Sequence, residues 1–253
     1  LGNNTNTDSS VPVAVSTFTD GATAVSITAG NSHTCALLNT GAVNCWGSNG
    51  FGQLGNGNTT ASSAPVAVGA FTVGSATAVS ITAGNSHTCA LLNTGAVNCW
   101  GWNGFGQLGN GNTTSSSAPV AVAAFTGGVT AVSITAGDSH TCAVLNTGAV
   151  NCWGYNFNGR LGNGNTNNSS APVAVDPFAD VSATAVSITA GNSHTCAVLN
   201  TGAVNCWGNN DDGRLGNNGN ISSSAPVAVN AFTDGATAVS ITAGGSHTCA
   251  LLN

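Results

Sequence analysis

The feature that most limits what this chain can fold into is its repetition. The tripeptide Leu-Gly-Asn begins at Leu1, Leu54, Leu108, Leu161 and Leu215, at intervals of 53, 54, 53 and 54 residues. Self-similarity at such a period means a solenoid, a propeller or an array, because each unit buries its apolar face only against its neighbours. One period runs LGN, a polar Asn/Thr/Ser loop, SAPVAV, a linker around Phe18, Phe71, Phe125, Phe178 or Phe232, TAVSITAG, a cysteine-bearing stretch, and a Gly/Asn-rich link back to LGN. The chain reads as a single repeat domain, residues 1–253, with unit starts at 1, 54, 108, 161 and 215.

The cysteine-bearing stretch His33–Gly47 has the pattern of a β-hairpin. Two apolar arms flank Asn39-Thr40-Gly41, and an Asn-x-Gly connection suits a type I turn closed by a glycine in the left-handed region. With Leu38 opposite Ala42, Cys35 faces Cys45 directly, and opposed antiparallel residues lie within the span of a disulfide. The expected bridges are Cys35/Cys45, Cys89/Cys99, Cys142/Cys152 and Cys196/Cys206, which leave Cys249 unpaired. The ten-residue separation is unlike the short knuckle of a zinc site. Paired cysteines favour an oxidising compartment, hence an extracellular or cell-surface location.

Each period offers four strands: PVAV after its proline, the alternating AVSIT, and the two hairpin arms. No segment has the length and spacing of an amphipathic helix. Four short strands repeated every 53–54 residues predict an all-β, propeller-like array of four-stranded blades. There are about five repeats, the fifth split between the termini.

The string AGNSHTCALLNTGAVNCWGSNGFGQLGNG strongly resembles the repeat of the regulator of chromosome condensation family, with its G-x-x-H-T-x-A-L, G-x-V and W-G-x-N-x-x-G-Q-L-G segments. Nearly every position of the chain falls in such a repeat. The resemblance implies four-stranded blades in a propeller, usually of seven, here as a secreted, disulfide-containing variant. It also implies protein partners. The founding member is an exchange factor for a small nuclear GTPase, but no insert here is suited to exchange chemistry.

Charge excludes several functions. Only 4% of residues are charged, against about 25% in an ordinary domain. Arg160 and Arg214 are the sole cations, and the net charge is −6. Nucleic acid needs a basic footprint, which is absent. No apolar run approaches the roughly 20 residues of a membrane span, so no membrane insertion is expected. Leu1 is not an initiator Met, which points to processing or to a longer chain.

Candidate functional residues are few. His33, His87, His140, His194 and His247 share one repeat position. They read as hydrogen-bonded histidines fixing the turn after Ala-Gly, rather than as a metal-binding ring. Ser32-His33 and its copies are neighbours in a strand and point apart, so they make no nucleophile–base pair. Trp46, Trp100, Trp153 and Trp207 read as inter-blade packing. The following variable position holds Ser48, Trp102, Tyr155 and Asn209, and is expected to be exposed; Trp102 and Tyr155 are the candidate binding residues. Asn3, Asn58, Asn112, Asn167, Asn168 and Asn220 begin sequons in the loop after LGN and are candidate glycosylation sites.

The sequence therefore predicts a non-enzymatic extracellular scaffold, a surface, matrix or fibre component, needing no cofactor and no metal. Its expected partner is protein, chiefly a second copy of itself joined through the split fifth repeat, with glycans as a further partner class. The alternative is a soluble propeller that binds protein or carbohydrate through Trp102 and Tyr155.

Overall fold

In the computed structural model residues 1–253 are described, the Asp20 side chain excepted. Blade 1 is a four-stranded antiparallel sheet in sequence order: β1 (Ala24–Ala29), β2 (His33–Leu38), β3 (Val43–Gly47) and β4 (Ser62–Ala67). Blade 2 repeats it with β5 (Ala78–Ala83), β6 (His87–Leu92), β7 (Val97–Gly101) and β8 (Ser116–Ala121). Blade 3 comprises β9 (Ala131–Ala136), β10 (His140–Leu145), β11 (Val150–Gly154) and β12 (Ser169–Ala174). Blade 4 comprises β13 (Ala185–Ala190), β14 (His194–Leu199), β15 (Val204–Gly208) and β16 (Ser223–Ala228). Two more strands, β17 (Ala238–Ala243) and β18 (Thr248–Leu252), form a half-blade. Three 3₁₀ turns, Thr19–Gly21, Phe157–Gly159 and Thr233–Gly235, are the helical content among the described residues. Among those residues no helix is long and apolar enough to cross a membrane.

The Ala-Val-Ser-Ile-Thr-Ala strands β1, β5, β9, β13 and β17 are innermost and touch one another in series around the axis. Successive inner strands are stitched by Thr hydroxyls: the Ala83 amide donates to Thr28 Oγ1 at 3.1 Å and the Ala136 amide to Thr82 Oγ1 at 3.0 Å. The outermost strand holds the repeat's proline in its interior, at Pro65 in β4. It begins three residues before the proline, earlier than the sequence suggests. An edge strand tolerates this because one side of its backbone has no ladder to supply. A sequence period and a blade are thus out of phase: each blade ends in the SAPVA of the next period. At the N-terminus Pro12–Val15, expected as a strand, adopts none.

The hairpin register follows the sequence reading. Cys35 pairs with Cys45, Thr34 with Trp46 and Leu37 with Val43. Gly41 takes φ +78°, and the Leu38 amide donates to the Ala42 carbonyl at 2.9 Å.

Side-chain alternation divides each blade into two faces. One carries the half-cystines, Leu37 and Val43; the other carries Ala36, Leu38 and Trp46. The core is a series of seams in which the first face of one blade meets the second face of the next. In the seam between blades 1 and 2, Cys35, Leu37, Val43, Cys45 and Leu54 meet Ala78, Ile81, Ala90, Leu92 and Trp100. The same set recurs between blades 2 and 3 and between blades 3 and 4.

Candidate functional site: the loop face

Two kinds of residue gather where the inner strands end. One kind is identical in every repeat and locks the seams. His33 Nε2 lies 2.8 Å from Thr88 Oγ1 in the next blade, and the pairs His87–Thr141, His140–Thr195 and His194–Thr248 match it at 2.8–2.9 Å. Thr88 Oγ1 donates its single proton to the Gln53 carbonyl at 3.0 Å, so the imidazole must be the donor and carries its hydrogen on Nε2. Trp100 Nε1 donates to that same carbonyl at 3.0 Å. Three of the four seams thus converge two donors on one carbonyl from the link that precedes LGN, and in the fourth Thr248 alone donates, to the Arg214 carbonyl.

Nδ1 of His33, His87, His140 and His194 is buried without a partner. Gly30 lies against the His33 ring so closely that a Cβ there would come within 2.3 Å of it. Burial lowers the imidazole pKa to about 4 at His33, to about 3 at His87 and to about 4 at His194. At His140 burial, with Arg160 and the flanking histidines adding repulsion, holds it well below the ordinary value. The imidazoles of His33, His87, His140 and His194 thus each face a threonine of the neighbouring blade.

The second kind of residue builds the loop that follows each hairpin. Asn49 is fully buried and organises it: Nδ2 donates to the carbonyls of Asn58 and Thr60 at 3.0 Å, and Oδ1 accepts from the Leu54 amide at 2.9 Å. Asn103, Asn156 and Asn210 do the same. The LGN glycine is required where it stands, since a Cβ on Gly55 (φ +69°) would lie 2.7 Å from Trp100 Nε1.

On this rigid base the variable residues form a ridge across three blades. Phe51 and Trp102 have ring centroids 6.0 Å apart, Trp102 and Phe105 5.0 Å at 75°, Phe105 and Tyr155 4.3 Å at 21°, and Tyr155 and Phe157 6.2 Å at 12°. Phe51 and Phe157 at its ends are 49% and 60% exposed, and the rings between are half-buried. Arg160 is buried beneath, its guanidinium 4.7 Å from the Tyr155 centroid and its donors given to the Phe157 and Asn192 carbonyls.

The candidate binding residues Trp102 and Tyr155 therefore stand in one row with Phe105 between them. The expectation of uniform exposure at their repeat position is corrected. Ser48 is exposed, but Trp102 and Tyr155 are half-covered by stacking, and Asn209 is buried, its amide donating to Asp211. Phe51, Phe105 and Phe157 were not singled out from sequence; the available signal was an aromatic recurring within the same loop. Beside the ridge, the turns after the inner strands ring an axial mouth of about 380 Å³ with Asn31, Asn85, Asp138 and Asn192.

The remaining candidate residues lie elsewhere. Four disulfides, Cys35–Cys45, Cys89–Cys99, Cys142–Cys152 and Cys196–Cys206, join the hairpin arms with Cα atoms 4.0–4.1 Å apart, and Cys249 is free and exposed. Asn58, Asn112, Asn167, Asn168 and Asn220 are exposed, whereas Asn3 is half-buried.

Comparison with known proteins agrees with this architecture. The chain is 38% identical over 191 residues to the ultraviolet-B receptor UVR8 of Arabidopsis thaliana, covering 75% of this chain and 42% of that one. It is 30% identical over 222 residues to the human E3 ubiquitin-protein ligase HERC2, covering 87% of this chain and 4% of that one. Among solved structures, human WBSCR16 superposes with a TM-score of 0.80 at 24% identity, covering 91% of this chain and 58% of that one. Prp20p of Saccharomyces cerevisiae, whose binding to Gsp1p and histones has been examined, superposes at 0.78 and 21% identity, covering 92% and 56%. The chain thus spans less than two thirds of each of these relatives. The RCC1-like domain model matches residues 1–253, and with its repeats, seams and sheet order the chain belongs to the RCC1-like domain family.

Proposed function

We propose that this chain is a non-catalytic, protein-binding propeller segment that engages its partner through the loop face. The observation that carries the reading is the aromatic ridge. Its rings are built only where otherwise near-identical repeats diverge, and they sit on a base fixed by buried Asn, Trp and His. Aromatic side chains on rigid supports are the usual anchors of protein interfaces. Ring geometry favours protein over sugar: Phe105 and Tyr155 stack on each other, so they turn edges rather than open faces to solvent. The disulfides support action in an oxidising compartment, outside the cell or at its surface. There the exposed sequons Asn58, Asn112, Asn167, Asn168 and Asn220 would be open to glycosylation.

Parallel screening of a displayed peptide library and a glycan array tests the reading, with Phe105→Asn as the subtractive control. That variant installs the residue the repeat itself uses at Asn158. Peptides retained by the parent chain and lost by the variant are expected; retention of glycans alone, or ligands indifferent to Phe105, would refute it.

A second reading, an end-to-end scaffold, is favoured by one observation: Ile27 on blade 1 and Leu251 on the half-blade are 63% and 64% exposed, on two uncovered blade faces. Sedimentation over a concentration series tests it. A mass that grows with concentration supports joining, and a constant mass rules it out.

A further inference from the structure

Building on the loop face as the docking surface, we infer that its partner is a protein segment bearing a lysine or arginine, with apolar side chains on the ridge and the cation seated at Asp138 in the axial mouth. The mouth and the ridge are continuous: the Tyr155 amide donates to the carbonyl of Ser139, the residue after Asp138, at 2.9 Å. A segment lying along the rings thus reaches the axis without leaving the face.

The chemistry of the mouth selects the ligand. Its rim carries the amides Asn31, Asn85 and Asn192, with Asp138 as the carboxylate in that repeat position. The Asp138 carboxylate accepts from Asn85 Nδ2 at 2.7 Å and from Ser139 Oγ at 3.0 Å. A carboxylate has about four lone-pair positions, so two such bonds fix its direction and leave acceptor capacity open. Asp138 is half-buried, where a charge is less screened than on an open surface.

Competing cations are already engaged. Arg160 is buried near enough to feel the Asp138 charge, but its Nε and Nη1 donate to the Phe157 and Asn192 carbonyls rather than to that carboxylate, and Arg214 is paired with Asp212. The chain has no third basic side chain, and its net charge of −6 favours approach of a basic partner and opposes an acidic one.

The test uses the full chain and a short blocked peptide alternating Lys with Leu and Phe, beside twins with Gln or Glu for Lys. Trp102 is a built-in reporter, since it is half-exposed while the four other tryptophans are at most 4% exposed. Its emission should shift on binding, with the Lys peptide about tenfold tighter than the Gln twin and the Glu twin weakest. Asp138→Asn, which installs the residue of the three neighbouring turns, should erase the Lys–Gln difference, whereas Asp180→Asn away from this face should preserve it.

Equal affinity of the Lys and Gln peptides for the parent chain, or an undiminished difference in Asp138→Asn, would overturn the cation site. If in that case Phe105→Asn still weakens both peptides, the docking face stands without it. If Phe105→Asn changes nothing, or neither peptide binds, the docking face falls too.

Discussion

Ile27 and Ile134 occupy the same place in the same hexapeptide, Ala-Val-Ser-Ile-Thr-Ala, on the innermost strand of a blade. Ile27 is 63% exposed and Ile134 is 8% exposed. Leu251 and Leu91 make a second such pair, at 64% and 5%. Leu1 and Leu54 are a third, at 60% and 0%. Backbone and local sequence are shared within the first two pairs, so local propensity explains none of their difference. Burial in this molecule belongs to the seam between two blades. The interior seams and the two uncovered faces are one sequence in two environments, as expected where stability is a sum of units and nearest-neighbour interfaces.

The largest effects should come from the centre of an interior seam. Trp153 is fully buried, packs among Cys89, Leu91, Val97, Cys99 and Phe125, and donates to the Gln107 carbonyl at 2.9 Å. Trp153→Ala should lower unfolding free energy by about 3–5 kcal/mol. Trp46→Ala should cost less, because only Phe18 and Ala22 pack against its small cluster. Chemical denaturation of the two variants measures the difference. Equal losses would mean that a seam contributes no more than its own hairpin does.

Opening one hairpin disulfide is the next test. Replacing Cys142 and Cys152 by Ser removes a bridge that closes a short loop, a loss of about 2–3 kcal/mol in the chain-entropy model. Both sulfur positions are fully buried in the seam, so packing adds to that loss. A denaturation midpoint unchanged from the parent chain would show that the seam alone holds the hairpin.

Acid should act on the seams. The pKa values of His33, His87 and His194 are lowered in the fold to about 4, about 3 and about 4, so the folded state resists protonation that the unfolded chain accepts near 6.5. Stability is therefore full above pH 6.5 and is lost as pH falls from there through about 4. Thermal melts across that range should show a falling midpoint, and His87→Gln should flatten the fall. A midpoint that falls as steeply in His87→Gln as in the parent chain would contradict the seam origin of the effect.

The sequence carried the seam more fully than the site. Hairpin register was legible because Cys35 and Cys45, Leu37 and Val43 lie within one turn of chain, where a two-residue periodicity and an Asn-x-Gly turn decide the pairing. The His33–Thr88 contact was not, since its partner is a full period away and belongs to another blade. Trp102 and Tyr155 stood out because their repeat position varies. Their neighbours Phe51, Phe105 and Phe157 did not, because the ridge exists only once loops of successive blades are laid side by side. Pro65 inside an edge strand was missed for a related reason: the proline looked like a boundary until the strand's outer position was known.

The smallest expected effect sharpens the opening comparison most. Ile27→Thr should change stability by within about 0.5 kcal/mol, the range of an exposed site, whereas Ile134→Thr should cost about 2 kcal/mol or more through lost burial and an unsatisfied hydroxyl in a seam. A penalty above about 0.5 kcal/mol at Ile27 would mean that its face is covered in solution. Two kinds of cover would then be told apart by mass. A second copy on that face makes the penalty grow with protein concentration, because each added copy turns Ile27 into a seam residue. Further blades belonging to the same chain would make it independent of concentration and equal to the penalty at Ile134. The same substitution at one hexapeptide position thus reports, by its size and concentration dependence, whether a neighbouring blade is present and where it comes from.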